Sequence, residues 1–569
     1  MNSPPIPPFN LLHEPWIPVR SLSGGPVQEV GLRELLLRAR EFGRIDDASP
    51  LISVALLRLS LALLHRALQG PKNAEVAAAW FRDGFPTGVL EAYFEQWAPR
   101  FELFDPEQPF WQVKVDPTRG NRYHWSLLAP ELNGSNTTVL FGSKKRLEPL
   151  FPKREVEMRL TGWLGTAPAS YVARLLAQNQ SFALGGRTTG ASESQQGGPI
   201  MSKAMFVPQG RNLLETLCFN LVPYGSDLAK MDRAVWEWQS EGRERSIGAN
   251  VPLGPADRYT WLSRGITLFP SSAESSDVGL IAYGAGLARA EDENRGLLFE
   301  PMAALISKKV EGVPTLLPYS LNLEKLAWRD LSAILPEPQN QIYTDPKGKT
   351  IKLKGHVPMV IQNASQVLET LYPQKAGEEV IPIIVFGQIL GGKPGITSST
   401  REETYNLPIR LVEDWDASGK YIDGALSSAK NTASALQQAT TRLATEVLSR
   451  GGEREPHGKD VKALVRTLPG LGTYWASLEA PFRVFLASLE QPEVAEAQWR
   501  GAVTVQARHA WALNMQGAGQ GGQVLGFAYR PRRTDGKYQP SPQTLLERAI
   551  LALHRPSSPS TTAPEASSL

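Results

Sequence analysis

The feature that most constrains this chain is a change of texture near Tyr421. Upstream, from Phe9 to about Pro408, short apolar runs alternate with Gly/Pro turns and a few helical stretches, among them Val30 to Arg40 and Leu51 to Leu68. Downstream lie ALSSAKNTASALQQATTRLATEVLSR, KDVKALVRTL, TYWASLEAPFRVFLASLE and EVAEAQWRGAVTVQARHAWALNM. These are Ala/Leu-rich, with apolar residues three and four apart and Gly/Pro breaks between them, which is the spacing of one helix face. The pattern predicts an α+β protein, with a large irregular mixed N-terminal domain over 9–408 and a C-terminal helical bundle over 418–555. The ends, 1–8 and 556–569, are rich in Pro, Ser and Thr and are expected to be disordered tails.

Charge and cysteine usage narrow the function classes. Lys plus Arg exceed Asp plus Glu by 60 to 57, a formal charge of +3. That is too small for a nucleic-acid signature over the whole surface, so any such contact must come from local patches. Cys218 is the sole cysteine, which excludes an internal disulfide framework and every zinc site built on paired cysteines, and it fits a reducing, cytoplasmic setting. The run Leu51 to Leu68 is apolar enough to suggest a membrane span, but Arg58, His65 and Arg66 interrupt it, so a buried helix is expected and no membrane partner. The opening MNSPPIPPF lacks the basic start and apolar run of a secretory signal.

Catalytic motifs fail on their context. Gly387 to Pro394 (GQILGGKP) approaches a phosphate-binding loop after the strand-like Val380 to Phe386. However, Pro394 stands where a Ser or Thr must hold magnesium, and it has no backbone N–H to offer phosphate. Gly517, Gly519 and Gly522 form a GxGxxG string, but after a helical segment rather than a strand, so a loop between helices is expected. The histidines are scattered without metal spacing. The doublets Asp46-Asp47 and Glu402-Glu403 do not converge, because neighbours face opposite sides of a strand or lie about 100° apart on a helix. No catalytic residue, metal site or cofactor is expected.

Several segments suit contact with nucleic acid. Residues 142–160 hold Lys144, Lys145, Arg146, Lys153, Arg154 and Arg159 against three glutamates, and read either as a basic loop that neutralises phosphates or as a solvated turn. Lys347 to Lys354 (KGKTIKLK) would place Lys352 and Lys354 on one strand face, a pattern that also protects an edge strand. Lys308-Lys309 and Arg530 to Arg533 (RPRR) are further basic clusters. Ala183 to Pro199 holds five glycines and no large apolar side chain after Leu184, so its backbone can approach a narrow groove closely, or it is simply a surface loop.

The run NLLHEPWIPVR, Asn10 to Arg20, resembles the opening of the CasA family, the large subunit of the type I-E CRISPR Cascade surveillance complex. FELFDPEQPFWQ, Phe101 to Gln112, resembles a second family segment, and the order of TWLSRGITL, EPMAALISKK and AWRDL resembles a third. The resemblance spans about residue 9 to about residue 555 and implies a C-terminal four-helix bundle. It further implies recognition of the protospacer-adjacent motif from the minor groove and insertion of a wedge that starts strand separation, with guide pairing then reading the sequence. By this resemblance Gly185, Gly186 and Arg187 match the glycine-loop region, and Lys308 or Lys309 the lysine finger. Thr397-Ser398 stand where the family wedge usually reads N-Q-A. Phe141 and the basic loop with Lys144, Lys145, Arg146, Lys153 and Arg154 match a family loop near the guide RNA handle and the target DNA. The implied partners are CRISPR RNA, double-stranded target DNA, the other Cascade subunits and a recruited helicase-nuclease. A metal-dependent nuclease using dispersed acids and a scaffold without DNA contact are the rival readings.

Overall fold

The longest apolar run folds as the helix Pro50–Leu68, and its interior charge is answered inside the protein. In the computed structural model, Arg58 is 1% exposed, pairs with the Glu300 carboxylate and lies 4.3 Å over the Tyr259 ring. Proline in the first turn and a left-handed Gln69 followed by Gly70 bound the helix. The helix is long and apolar enough to cross a membrane, yet most of it is buried within the fold. The described residues are 8–113, 124–127, 167–187, 194–223, 225–240, 250–289, 300–310, 313–322, 325–331, 341–344, 350–353, 357–375, 380–390, 397–409, 411, 415–519, 522–534 and 537–555. The chain forms two compact units, Met1–Trp415 and Asp416–Leu569.

In the first unit, the two N-terminal sequence segments pair with each other. Asn10 Nδ2 donates to the Ala98 carbonyl at 2.9 Å and to Glu102 Oε1 at 2.8 Å, while Leu11 N donates to Phe101 O at 3.0 Å. Trp16, 1% exposed, donates its indole N–H to Leu11 O. Strand Ile17–Ser21 then lies between Gln28–Val30 and Phe42–Ile45, both antiparallel to it. The helix expected over Val30 to Arg40 is shorter, Leu32–Leu37, since Gly31 lies against the Leu12 carbonyl, where a Cβ would sit at 2.5 Å, and the chain turns after Arg38 into the next strand.

A three-stranded antiparallel sheet organises the rest of this unit. Val380–Leu390 is central, between Thr397–Pro408 and Ala204–Pro208, and it is buried almost throughout from Ile383 to Ile389. The Gly387 to Leu390 portion of the near phosphate-binding motif therefore continues as strand. Helix Ala169–Phe182 is buried nearly all round, with Arg174 paired to Glu29 and, at 3.3 Å, to Asp47.

The second unit is helical. Trp415–Leu448 and Pro492–Gly517 are its long helices, and the shorter Gly458–Thr467, Gly470–Ser477 and Glu479–Ala487 lie between them in sequence. Where the resemblance implies four helices, the described residues hold two long helices, this run of three short ones and two more near the end of the unit. The break at Pro469-Gly470 docks on the long helix: Gly470 N donates to Asn514 Oδ1 at 2.7 Å, and a Cβ at Gly470 would lie 2.4 Å from Ala510 O. Asn514 in turn donates to Thr440, while Trp499 and Tyr474 donate to the Ala425 and Ala429 carbonyls. Of the GxGxxG string, Gly517 ends one helix and Gly522 starts the next, Gly522–Tyr529, and a two-stranded ribbon, Arg532–Thr534 with Lys537–Gln539, precedes helix Pro542–Leu553.

Candidate nucleic-acid interface

The register of the central sheet brings together three segments that lie far apart in sequence. Gly387 stands opposite Ala204 and Ile383 opposite Pro208. The start of the Ala204–Pro208 strand and the tip of the Val380–Leu390/Thr397–Pro408 hairpin therefore share one end of the sheet. At that tip Thr397 pairs with Leu390 across an irregularity in register, and Ser398 follows it. The Ala183 to Lys203 segment enters the sheet at the same end, because it leads directly into Ala204. Residues Leu305–Val310 extend from the same region: Met205 bridges Ala303 antiparallel, Phe206 N donates to Met302 O, and Ala204 N donates to Tyr319 O, each bond at 2.8 Å. In this hairpin with Val313–Pro318, Lys308 pairs with Thr315 and Lys309 with Pro314.

The glycine segment is a short ribbon with a fixed base. Gly186 pairs with Gln195 and Arg187 with Ser194, while Gly185 N donates to Met201 Sδ at 3.3 Å. Below them, Gly198 N donates to Ala183 O at 2.7 Å and Ile200 N to Ser181 O at 3.2 Å. A Cβ on Gly198 would sit 2.3 Å from the Ser181 carbonyl oxygen, a backbone atom that cannot swing away. Close approach is thus required at Gly198, which sequence reasoning passed over in favour of Gly185 and Gly186.

Arg264 is the second residue that sequence reasoning missed. It is 1% exposed, donates to the Leu184 carbonyl at 2.5 Å and to the Gln196 carbonyl at 2.9 Å, and so ties both arms of the ribbon to the strand Arg264–Ser272. The Gln180 amide accepts from Arg264 N and donates to Arg264 O, both at 2.9 Å, and Ser263 Oγ donates to Gln180 O at 2.5 Å. Its one sequence signal is an arginine set inside the otherwise buried run TWLSRGITL.

Other sequence candidates fall differently. Phe141, Lys144, Lys145, Arg146, Lys153 and Arg154 lie outside the described residues, as do the tails at 1–7 and 556–569. Lys352 pairs with Ile342 on a separate hairpin, and Lys354 is outside the described residues. Three of the four acids in the doublets are engaged in structure: Asp46 pairs with Arg20 and Arg44, Asp47 with Arg174, and Glu403 accepts from Ala327 N and pairs with Arg401 at 3.3 Å. Burial pushes the Cys218 thiol up and His65 down to about 3, the latter helped by the charge of Arg66, so neither suits acid-base or nucleophilic work at neutral pH. Among the described residues no three His, Cys, Asp or Glu side chains converge as a metal site.

An antiparallel sheet with a glycine ribbon, a lysine hairpin and a further hairpin at one end, followed in the chain by a helical unit, is here the fold of a CRISPR-associated protein. Residues 10–512 match the family described as CRISPR-associated protein Cse1, and the chain belongs to that family, also called CasA. It is 34% identical over 526 residues to the CRISPR-associated protein CasA/Cse1 of Thermus thermophilus, an alignment that covers 91% of this chain and 94% of the relative. A crystal structure of CasA from Thermus thermophilus superposes with a TM-score of 0.72 at 31% identity, covering 96% of this chain and 99% of that one. A chain of a CRISPR RNA-guided surveillance complex shares the fold, with a TM-score of 0.66 at 19% identity over 96% of this chain and 100% of that one.

Proposed function

We propose that this chain is the large, non-catalytic subunit of a CRISPR RNA-guided surveillance complex. In this reading it recognises the protospacer-adjacent motif in double-stranded DNA, aids duplex opening and R-loop formation, and recruits the helicase-nuclease in the cytoplasm. The observation that carries the reading is the common origin of the Gly185–Arg187 ribbon, the Lys308-Lys309 hairpin and the Thr397-Ser398 hairpin at one end of one sheet. Backbone at glycine enters a groove where side-chain bulk is excluded, lysine neutralises phosphate, and the Thr397-Ser398 strand starts at the same sheet end. Sequence beyond the motif is left to guide pairing, which needs no base-reading surface on the protein.

The test is reconstitution with the remaining subunits and guide RNA, followed by binding to duplexes that carry or lack the motif. Binding that requires the motif and fails without this chain supports the reading; equal binding with and without the chain overturns it. Incubation of the purified chain with plasmid and magnesium or manganese tests the nuclease alternative, for which cleavage would be the decisive result.

A further inference from the structure

The second unit carries exposed aromatic side chains beside the exposed Arg530, which the motif reading does not use. Leu525, Tyr529 and Tyr538 are 53%, 58% and 60% exposed, and they fall within fourteen residues of sequence that take in most of the ribbon Arg532–Thr534/Lys537–Gln539. In sequence, residues 525–540 hold Arg530, Arg532, Arg533 and Lys537 against Asp535 alone, an excess of three that matches the +3 of the whole chain.

The ribbon is anchored on one side and open on the other. Arg532, opposite Gln539 in register, pairs with the buried Glu446 at 3.4 Å, and Gln539 accepts from Arg442 at 3.1 Å, so this pair faces the long helix Trp415–Leu448. Cross-strand partners share a face and the next pair lies on the other. Tyr538, opposite Arg533, therefore stands on the outer face. The turn at Arg450, Gly451 and Gly452, with φ of 52°, 76° and 106°, supports the base: a Cβ on Gly451 would lie 2.9 Å from Phe527.

We infer that this part of the unit binds single-stranded nucleic acid, with the exposed rings of Tyr529 and Tyr538 stacking on unpaired bases and the exposed Arg530 neutralising phosphate beside them. Exposed rings of this kind find a matching partner in unstacked bases, which duplex DNA does not offer, and the neighbouring arginine supplies the backbone contact. The strand can be DNA or RNA, since both present the same stacked base and phosphate.

The test uses the full chain with fluorescent oligothymidylate and oligouridylate, neither of which contains a motif or pairs with a guide, so its result is independent of motif recognition. Tyr529→Ala and Tyr538→Ala should each weaken binding by about five- to a hundredfold with the salt dependence kept, and Tyr538→Phe should restore it while Tyr538→Leu should not. Arg530→Gln should flatten the salt slope by about 0.7 for the lost phosphate contact. The two oligomers rank the sources, and tighter binding of either supports the inference. Wild-type affinity in both alanine variants, rescue by leucine as good as by phenylalanine, or no binding by the wild-type chain would overturn it, the leucine result pointing to a protein partner. Thermal unfolding of each variant checks that these exposed substitutions leave the fold intact.

Discussion

Arg264 Nη2 donates to the carbonyl of Leu184 at 2.5 Å, across 80 residues of chain, and Arg264 Nη1 holds the opposite arm of the glycine ribbon through Gln196. A glycine segment gains reach from its lack of side chains but loses definition for the same reason. A buried guanidinium that bonds both arms supplies that definition.

Arg264→Met should therefore act on stability and on recognition together. Each partly buried carbonyl left without a donor costs about 1–3 kcal/mol, read as a lower urea midpoint. In the assembled complex, discrimination between correct and altered motifs should fall further than affinity for a target already opened beside the motif. Gly198→Ala should do the same, since its Cβ would meet the Ser181 carbonyl.

The Arg58–Glu300 pair gives a sharper stability prediction. Burial raises the Glu300 carboxyl, but the Arg58 charge and hydrogen bond, helped by Arg258 and Lys203, outweigh it and hold the group below its ordinary value. Glu300→Gln or Arg58→Met alone leaves an uncompensated buried group and should cost about 3–5 kcal/mol, while the double replacement should recover much of that loss. A double-mutant cycle from urea unfolding checks it. Because Glu300 lies five residues before Leu305, the single variants should also loosen the base of the lysine hairpin.

Two buried groups oppose each other in the pH dependence of stability. Burial lifts Asp232 to about 6, with the N–H groups of Asp257 and Ala256 only partly offsetting it, and lowers His65 to about 3. Between about pH 4 and pH 6 the folded state holds a proton on Asp232 that the unfolded state has released, so the Asp232 contribution falls as pH rises. Across the same window unfolded His65 binds a proton that the folded state refuses, so its contribution rises with pH. Each slope is about 1.4 kcal/mol per pH unit, and the two nearly cancel. Relative to wild type, Asp232→Asn should lose stability on acidification from pH 6 to pH 4, and His65→Met should gain it. Unfolding free energies of the three proteins at both pH values check the signs.

Much of the architecture was legible because local patterns carried it. Three- and four-residue apolar spacing marked the helices from about Tyr421 onward, and the charge inside Leu51 to Leu68 marked a buried helix. What the sequence hid was long-range. The pairing of Phe386 with Met205 and of Ala303 with Met205 places the candidate segments at one sheet end, yet no periodicity near any of them signals it. Arg264 reads locally as a strand residue, and its role depends on carbonyls of Leu184 and Gln196, which carry no side-chain signature at all. The ribbon Arg532–Thr534/Lys537–Gln539 did carry a local signal, since Asp535-Gly536 between the two runs is a hairpin pair in sequence.

Thr397 and Ser398 set a prediction for the third segment. A small hydroxyl reaches less far into a base step than a longer amide, so Thr397→Ala should have a mild effect on target opening. Deletion of 395–398 should slow R-loop formation on a fully paired target and spare one opened in advance, because unstacking a step costs a few kcal/mol that the opened target no longer demands. Rates on the two targets provide the check.

If one end of the central sheet reads the motif, damage confined to that end must abolish motif preference. The assembled complex carrying Gly186→Leu together with Lys308→Ala and Lys309→Ala is compared with wild type for binding to guide-matched duplexes bearing a correct or a scrambled motif. The variant should assemble and still bind a target opened beside the motif, but bind the two paired duplexes alike. Retention of the wild-type preference for the correct motif in that triple variant would contradict it.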